Sequence, residues 1–316
     1  MRTITEAAAW LRAHDDFLIM THRRPDGDAI GSAVTLCLGL RSLGKQAALF
    51  PNAQFTEKFR PLWDGLLGSE NPHGKTVIAV DMAAETMLPY NAEELTGQTV
   101  FCMDHHGSNT GYAPETFVDA SAAACGELIW LTLAELGVTF TKQMADATYV
   151  ALTTDTGCFR FSNTTAQTLQ VAASCLEAGA DMTYWNRLLF MTRSKARLKL
   201  EAYLISHAEF YADGKVCICT LPQAVVDEFG LTEDDIDDIS GYPRNIEGVE
   251  IGAMIRDVAD GAKISLRTFA PWDASAICAE LGGGGHPAAA GATRKGSIQS
   301  AKTAILEAMK IHGAEV

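Results

Sequence analysis

The feature that most constrains the fold is a repeated unit, a short apolar run that ends in acidic residues or histidines. Phe17-Leu18-Ile19-Met20 delivers Thr21-His22-Arg23-Arg24-Pro25-Asp26-Gly27-Asp28. Val77-Ile78-Ala79-Val80 ends at Asp81, and Thr99-Val100-Phe101-Cys102-Met103 ends at Asp104-His105-His106. Short apolar runs bounded by turn signals read as buried strands. Pro25 and Gly27 mark a tight loop after the first of them. Helical patterns lie between: an amphipathic one over Ile4–Leu11, and one over 29–43 with Ile30, Val34, Leu38 and Leu40 apolar and Gly44 as its stop. Ala47–Phe50 reads as a further strand. Strands alternating with helices imply a mainly parallel sheet with helices on both faces. Such sheets bind ligands just beyond the carboxyl ends of their strands.

Helices follow at 125–136 and 142–153, the second running into Thr153-Thr154-Asp155-Thr156-Gly157-Cys158-Phe159-Arg160-Phe161. Another opens at Thr164-Thr165-Ala166-Gln167 and ends at Gly179. The stretch 182–210 reads as one long connecting helix, with Arg187, Arg193, Lys195, Arg197 and Lys199 on a solvated face. From about 214 the pattern becomes strand-rich: Val216–Leu221, Val249–Asp257 and Ala262–Phe269, then a helix over 273–280. The run Leu281-Gly282-Gly283-Gly284-Gly285-His286-Pro287-Ala288-Ala289-Ala290-Gly291 reads as a Gly-rich loop and precedes a last helix from Ser297 to Ile311. The acidic cluster Glu233–Asp238 reads as a solvated helix start. The expected fold class is α/β: an N-terminal domain over 1–185, a linker helix over 186–212, and a smaller α/β domain with a mixed sheet over 213–316.

The strand-end polar residues of the first half are His22, Asp26, Asp28, Asp81, Asp104, His105, His106 and Asp155. Each alone would pass as a cap or turn residue. Together, parallel topology brings them to one edge, where several carboxylates repel unless cations neutralise them. Their number suits two metal ions. A mixed carboxylate and imidazole set suits Mn²⁺ best, with Mg²⁺, Co²⁺ or Zn²⁺ as alternatives. Two ions roughly 3.5–4 Å apart clamp a phosphoryl group and lower the pKa of the attacking water. No Ser or Cys nucleophile is needed. The eight cysteines are scattered; Cys217-Ile218-Cys219 has no second pair to complete a zinc site, so free thiols are expected. A net charge of −14 excludes a protein that coats long or duplex nucleic acid, but not one that holds a short nucleotide with a few arginines and metal ions. No apolar run reaches the ~18 residues of a membrane span, and Met1-Arg2 opens no signal-peptide pattern, so a cytoplasmic protein with no membrane partner is expected.

Five ordered motifs now resemble one family: THRRPDGDAIGS at 21–32, VD at 80–81, DHHGSN at 104–109, TDTGCFRF at 154–161 and GGGGHPAAAG at 282–291. The chain resembles the DHH phosphoesterase superfamily, in the subfamily with the DHH-associated C-terminal domain. The resemblance implies that His22 and Asp26 bind one metal, Asp28, His105 and Asp155 the other, and that Asp81 bridges them. It implies that His106 contacts the scissile phosphate and protonates the leaving oxygen, while Asp104 orients the histidines. In the second domain it implies phosphate binding by Arg267, His286 and the amides of Gly283, Gly284 and Gly285. Arg160 is a further phosphate-binding candidate.

Within the superfamily, length and the Gly-rich motif resemble the nano-RNase and 3′-phosphoadenosine-5′-phosphate (pAp) phosphatase type. The expected substrates are RNAs of two to five nucleotides, pApA among them, cut to 5′-mononucleotides. The alternative is a stand-alone cyclic di-AMP phosphodiesterase; from another class, a non-catalytic nucleotide-binding protein would need a broken ligand set. The oligomeric state stays open, a homodimer included.

Overall fold

A computed structural model describes residues 3–71, 73–236 and 239–316. The chain divides into two compact units, one ending at Thr192 and one beginning at Arg193.

The first unit opens with α1 (Ile4–Ala13), β1 (Phe17–Met20), α2 (Gly27–Ser42), β2 (Ala47–Leu49), the short α3 (Arg60–Trp63) and β3 (Thr76–Val80). Then come β4 (Phe101–Asp104), β5 (Glu115–Val118), α4 (Cys125–Glu135), α5 (Lys142–Asp155), α6 (Ala166–Glu177) and α7 (Met182–Asn186). The five strands form a fully parallel sheet in the order β2-β1-β3-β4-β5. The order reverses at β1, so the crevice beyond β1 and β3 is the topological switch point where such sheets bind ligands. Register aligns the strand ends there, with Met20 opposite Ala79 and Val80 opposite Met103. The two faces are covered differently. Phe17, Ile19, Ile78, Val80, Phe101 and Met103 pack against α1, α2, α4 and α5, whereas Leu18, Met20 and Val77 pack against Phe50, Ala92 and Leu95, near short 3-10 turns.

The second unit contains α8 (Lys195–Ser206), β6 (Glu209–Tyr211), β7 (Val216–Leu221), α9 (Gln223–Phe229), α10 (Glu233–Ile236), β8 (Ile251–Val258) and β9 (Gly261–Thr268). It ends with α11 (Ala274–Ala279), β10 (Gly284–His286), β11 (Ala289–Arg294) and α12 (Ile298–Ile311). Its sheet runs β10-β11-β9-β8-β7-β6, and only β7–β8 is parallel, so the sheet is mixed. Elements α11 and α12 cover one face; α8, α9 and a 3-10 segment over Ile239–Asn245 cover part of the other.

Three sequence expectations need correction. The single helix over 182–210 is broken. A π turn over Arg187–Met191 ends in extended Thr192, and Ser194 starts α8 afresh by accepting the amide of Arg197 at 2.8 Å. Arg197 is not on a solvated face: its Nε donates to Glu201 (2.9 Å) and a terminal nitrogen donates to the Asp235 carbonyl (3.0 Å). The Gly-rich run is not a loop but one strand of a hairpin, pairing Gly284 with Gly291 and His286 with Ala289. Within the cluster Glu233–Asp238, Asp237 and Asp238 lie outside the described residues.

Candidate metal centre

Each acidic ligand candidate is held by a local device. Asp26 caps α2, accepting the amides of Asp28 (3.0 Å) and Ala29 (3.1 Å). Asp28, two residues on and fully buried, accepts Ser32 Oγ (3.0 Å) and the first amides of α4, Cys125 (2.7 Å) and Gly126 (2.9 Å). Helix α4 has no cap of its own, because Ala124 precedes it, so Asp28 supplies the missing acceptor. Asp81 follows β3 with φ of 54°, a left-handed conformation that costs free energy outside glycine. Asp155 arrives from the last turn of α5 and not from a strand end, as its place in the sequence set had suggested. That helix stops abruptly because Gly157, Cys158 and Phe159 are all left-handed.

The side chains converge in two sets that share a neighbourhood. His22 Nε2 lies 3.9 Å from Asp26 and 3.7 Å from Asp81. His105 Nε2 lies 3.6 Å from Asp28, 3.5 Å from Asp81 and 3.4 Å from Asp155. Ligand atoms of His22, Asp26 and Asp81 lie within 4.8 Å of one another, as do those of Asp28, His105 and Asp155, and those of Asp81, His105 and His106. These separations leave room for an ion between the atoms and are too long for hydrogen bonds. The buried Asp81 Oδ1 has no hydrogen-bond partner.

The histidines are oriented from behind. His105 Nδ1 faces the Ala122 carbonyl at 3.3 Å, which leaves Nε2 as the nitrogen turned toward Asp28, Asp81 and Asp155. His106 Nδ1 lies 2.8 Å from Asp104 Oδ1, which leaves Nε2 free to serve as a proton donor. Asp104 is saturated: its Oδ1 also accepts the amides of His105 (2.8 Å) and His106 (3.2 Å), and its Oδ2 accepts Asn109 Nδ2 (2.6 Å). Sequence reading left Asn109 without a role, although it stands inside the DHHGSN motif.

Electrostatics separates the groups. Burial, then the crowd of neighbouring aspartates, pushes Asp81 well above the usual carboxylate range. Burial likewise raises Asp28. Burial, then Asp28 and Asp26, raises Asp155 to about 8. Asp104 goes the other way: burial pushes it up, but donors from His106 and Asn109 outweigh that and hold it below its ordinary value. The bond to Asp104 raises His106, and burial lowers His22. A set of buried carboxylates that resist ionisation, one oxygen of them orphaned, fits a cation site and little else.

The other candidates lie elsewhere. Arg160 is exposed, and its Nε donates to the Gly157 carbonyl at 2.5 Å. Arg267 lies on β9, opposite Ala289 on β11, which is opposite His286 on β10. Residues opposite one another share a face, so Arg267 and His286 flank a row whose middle member is a methyl group. Gly283 and Gly285 are needed for the hairpin to close, since a Cβ on them would stand 2.2 Å from the Gly291 carbonyl and 2.6 Å from that of Ala289.

Two family models match this chain: the DHH family, N-terminal domain, over residues 16–152, and the DHHA1 domain over 213–311. A Thermus thermophilus protein named bifunctional oligoribonuclease and PAP phosphatase NrnA is 35% identical over 298 residues, covering 92% of this chain and 88% of its own. The chain belongs to the DHH family. A Bacillus subtilis member of the same name is 24% identical, with 92% of each chain covered. Among solved structures, an exopolyphosphatase-related protein from Bacteroides fragilis shares the fold at a TM-score of 0.87 and 22% identity, covering 98% of this chain and 96% of that one. The exonuclease RecJ, solved bound to manganese, shares the DHH fold at a TM-score of 0.54 and 14% identity, covering 100% of this chain and 95% of that one. Among the described residues, no helix of this DHH protein is long and apolar enough to cross a membrane.

Proposed function

We propose that this chain is a hydrolase that cleaves RNAs of two to five nucleotides to 5′-mononucleotides and removes the 3′-phosphate of pAp, in a cytoplasmic setting. The observation that carries it is two ligand sets, His22-Asp26-Asp81 and Asp28-His105-Asp155, joined where Asp81 Oδ1 lies 3.5 Å from His105 Nε2. The names of relatives aligned over about nine tenths of the chain support the substrate class. His22 and Asp26 would hold one divalent cation and Asp28, His105 and Asp155 the other, with Asp81 contributing to both, and Mn²⁺ is the best match to the donor set. When bound, the cations supply Lewis-acid neutralisation of the phosphoryl oxygens and a water nucleophile of lowered pKa. His106, held at Nδ1 by Asp104, delivers a proton from Nε2 to the leaving 3′-oxygen. Arg267 and His286, with the Gly283–Gly285 amides, bind a substrate phosphate, and Arg160 is a further cationic contact.

The test offers the purified protein pApA, a 5′-phosphorylated trinucleotide, a 24-nucleotide RNA, pAp and cyclic di-AMP with Mn²⁺, beside an Asp81→Ala control. Conversion of the short linear RNAs and pAp to AMP, with the long RNA spared, is the expected result. Preference for the cyclic dinucleotide would replace this reading, and no turnover by the parent would remove it.

A further inference from the structure

The second unit places an exposed aromatic ring beside the phosphate-binding row. Phe269 follows Arg267 by two residues, and its amide continues the strand by donating to the Glu250 carbonyl at 3.0 Å. Two residues of strand advance about 6.8 Å and return to the same face. The 3-10 segment Ile239–Asn245 touches both side chains: Ser240 Oγ accepts from Arg267 at 3.0 Å, and the Arg244 guanidinium stands 4.6 Å over the Phe269 ring. This segment can lie so close because residue 252 is glycine; a Cβ there would stand 2.5 Å from the Arg244 nitrogen. Phe269 is nonetheless 53% exposed. A large apolar ring, backed by a cation and open to water, lies beside the cross-strand row Arg267–Ala289–His286.

We propose that Phe269, backed by Arg244, is a stacking platform for the base of the nucleotide whose phosphate lies on the Arg267–His286 row. The charge of the row selects an anion, and the ring selects a flat apolar group one nucleoside length away. Base–aromatic stacking is tolerant of sequence, so the platform reads the presence of a base and not its identity. Arg244 fixes the ring from one side and strengthens its π-face by cation–π attraction. The inference rests on the nucleotide reading above and adds a base contact to it.

The experiment uses the full-length protein, with AMP and ribose 5-phosphate as probes in equilibrium binding in EDTA, and pApA with Mn²⁺ for steady-state rates. Phe269→Ala is expected to weaken AMP binding roughly tenfold and to leave ribose 5-phosphate untouched. Phe269→Trp is expected to restore AMP binding, with new fluorescence quenched by AMP. On pApA the loss falls on KM. Equal weakening of both probes, no weakening of either, or no AMP binding by the parent overturns the proposal. Phe269-dependent AMP binding in a protein that turns over no short RNA would sustain the platform and sink the activity. Turnover of pApA indifferent to Phe269 would do the reverse.

Discussion

Asp81 is a costly residue for the fold, and the proposed metal centre turns on it. It is 2% exposed, left-handed, crowded by four other aspartates, and has an oxygen with no hydrogen-bond partner. Asparagine keeps the shape and tolerates the same backbone conformation but carries no charge. Asp81→Asn is therefore expected to raise the melting temperature of the metal-free protein at pH 8, by roughly 2–4 °C for each kcal/mol of relieved burial. The same variant loses the Mn²⁺-induced rise and more than the roughly 10–100-fold of activity typical of an outer partner. Thermal melts in EDTA and in Mn²⁺ decide this; a lower apo melting temperature would count against a strained, cation-dependent Asp81. Asn109 belongs to the same scale. Its amide is the only side-chain donor that holds Asp104 Oδ2 among the described residues. Asn109→Ala leaves that buried oxygen without its donor, while Oδ1 keeps its two amides and His106. The Asp104–His106 pair is thereby weakened, so turnover is expected to fall about 10–100-fold with folding retained, as rates and circular dichroism would show.

At the scale of elements, the site depends on how closely three helices approach. A Cβ on Gly31 of α2 would stand 2.3 Å from the Ala147 carbonyl of α5, and one on Gly126 of α4 would stand 2.5 Å from the Ala151 Cβ. Asp28 sits on the first turn of α2, Asp155 on the last of α5, and Asp28 also caps α4. Gly31→Ala must push α2 from α5, with a stability cost of about 1–3 kcal/mol in urea melts and weaker Mn²⁺ binding, since two ligands move apart. Unchanged Mn²⁺ affinity would show that the helices can shift without opening the site. This packing marks where sequence reading stopped. The apolar runs ending in His22, Asp81 and Asp104 announced three strand ends, because buried parallel strands carry their signal locally. That α4 borrows its cap from Asp28 is a fact of contact between segments about 100 residues apart. That Asp155 sits on a helix end is local, and the helical pattern over 142–153 stopped two residues short of it. The hairpin at Gly284–His286 was hidden for another reason: glycines chosen for close backbone approach look like a loop. Strand β5 was missed because only Phe117 on it is buried.

At the scale of the whole molecule, protons and cations compete for one cluster, and pH reads the competition. Asp28, Asp81 and Asp155 are raised, the last to about 8, so the folded metal-free protein binds more protons than the unfolded chain. Stability from these groups is complete below the ordinary carboxylate value of about 4 and is lost as pH rises through their folded values. His106, also raised, loses its contribution in the same direction above its ordinary value. Two groups oppose. Asp104, lowered, adds stability as pH rises, but that gain is finished by about pH 5. His22, lowered by burial, adds stability only up to its ordinary value near 6.5. Between about pH 6.5 and 8, then, every site group with a resolved shift either destabilises the metal-free protein or is spent. Cations displace the protons and remove the loss. The gap between the Mn²⁺ and EDTA melting temperatures is expected to widen steadily across that window. The two units have separate cores, so the widening belongs to the transition of the unit ending at Thr192, while that of the unit beginning at Arg193 stays put. Calorimetry at half-unit pH steps measures both. A gap constant with pH would mean that the carboxylates are ionised without metal. A shift shared equally by the two transitions would mean that the units unfold as one.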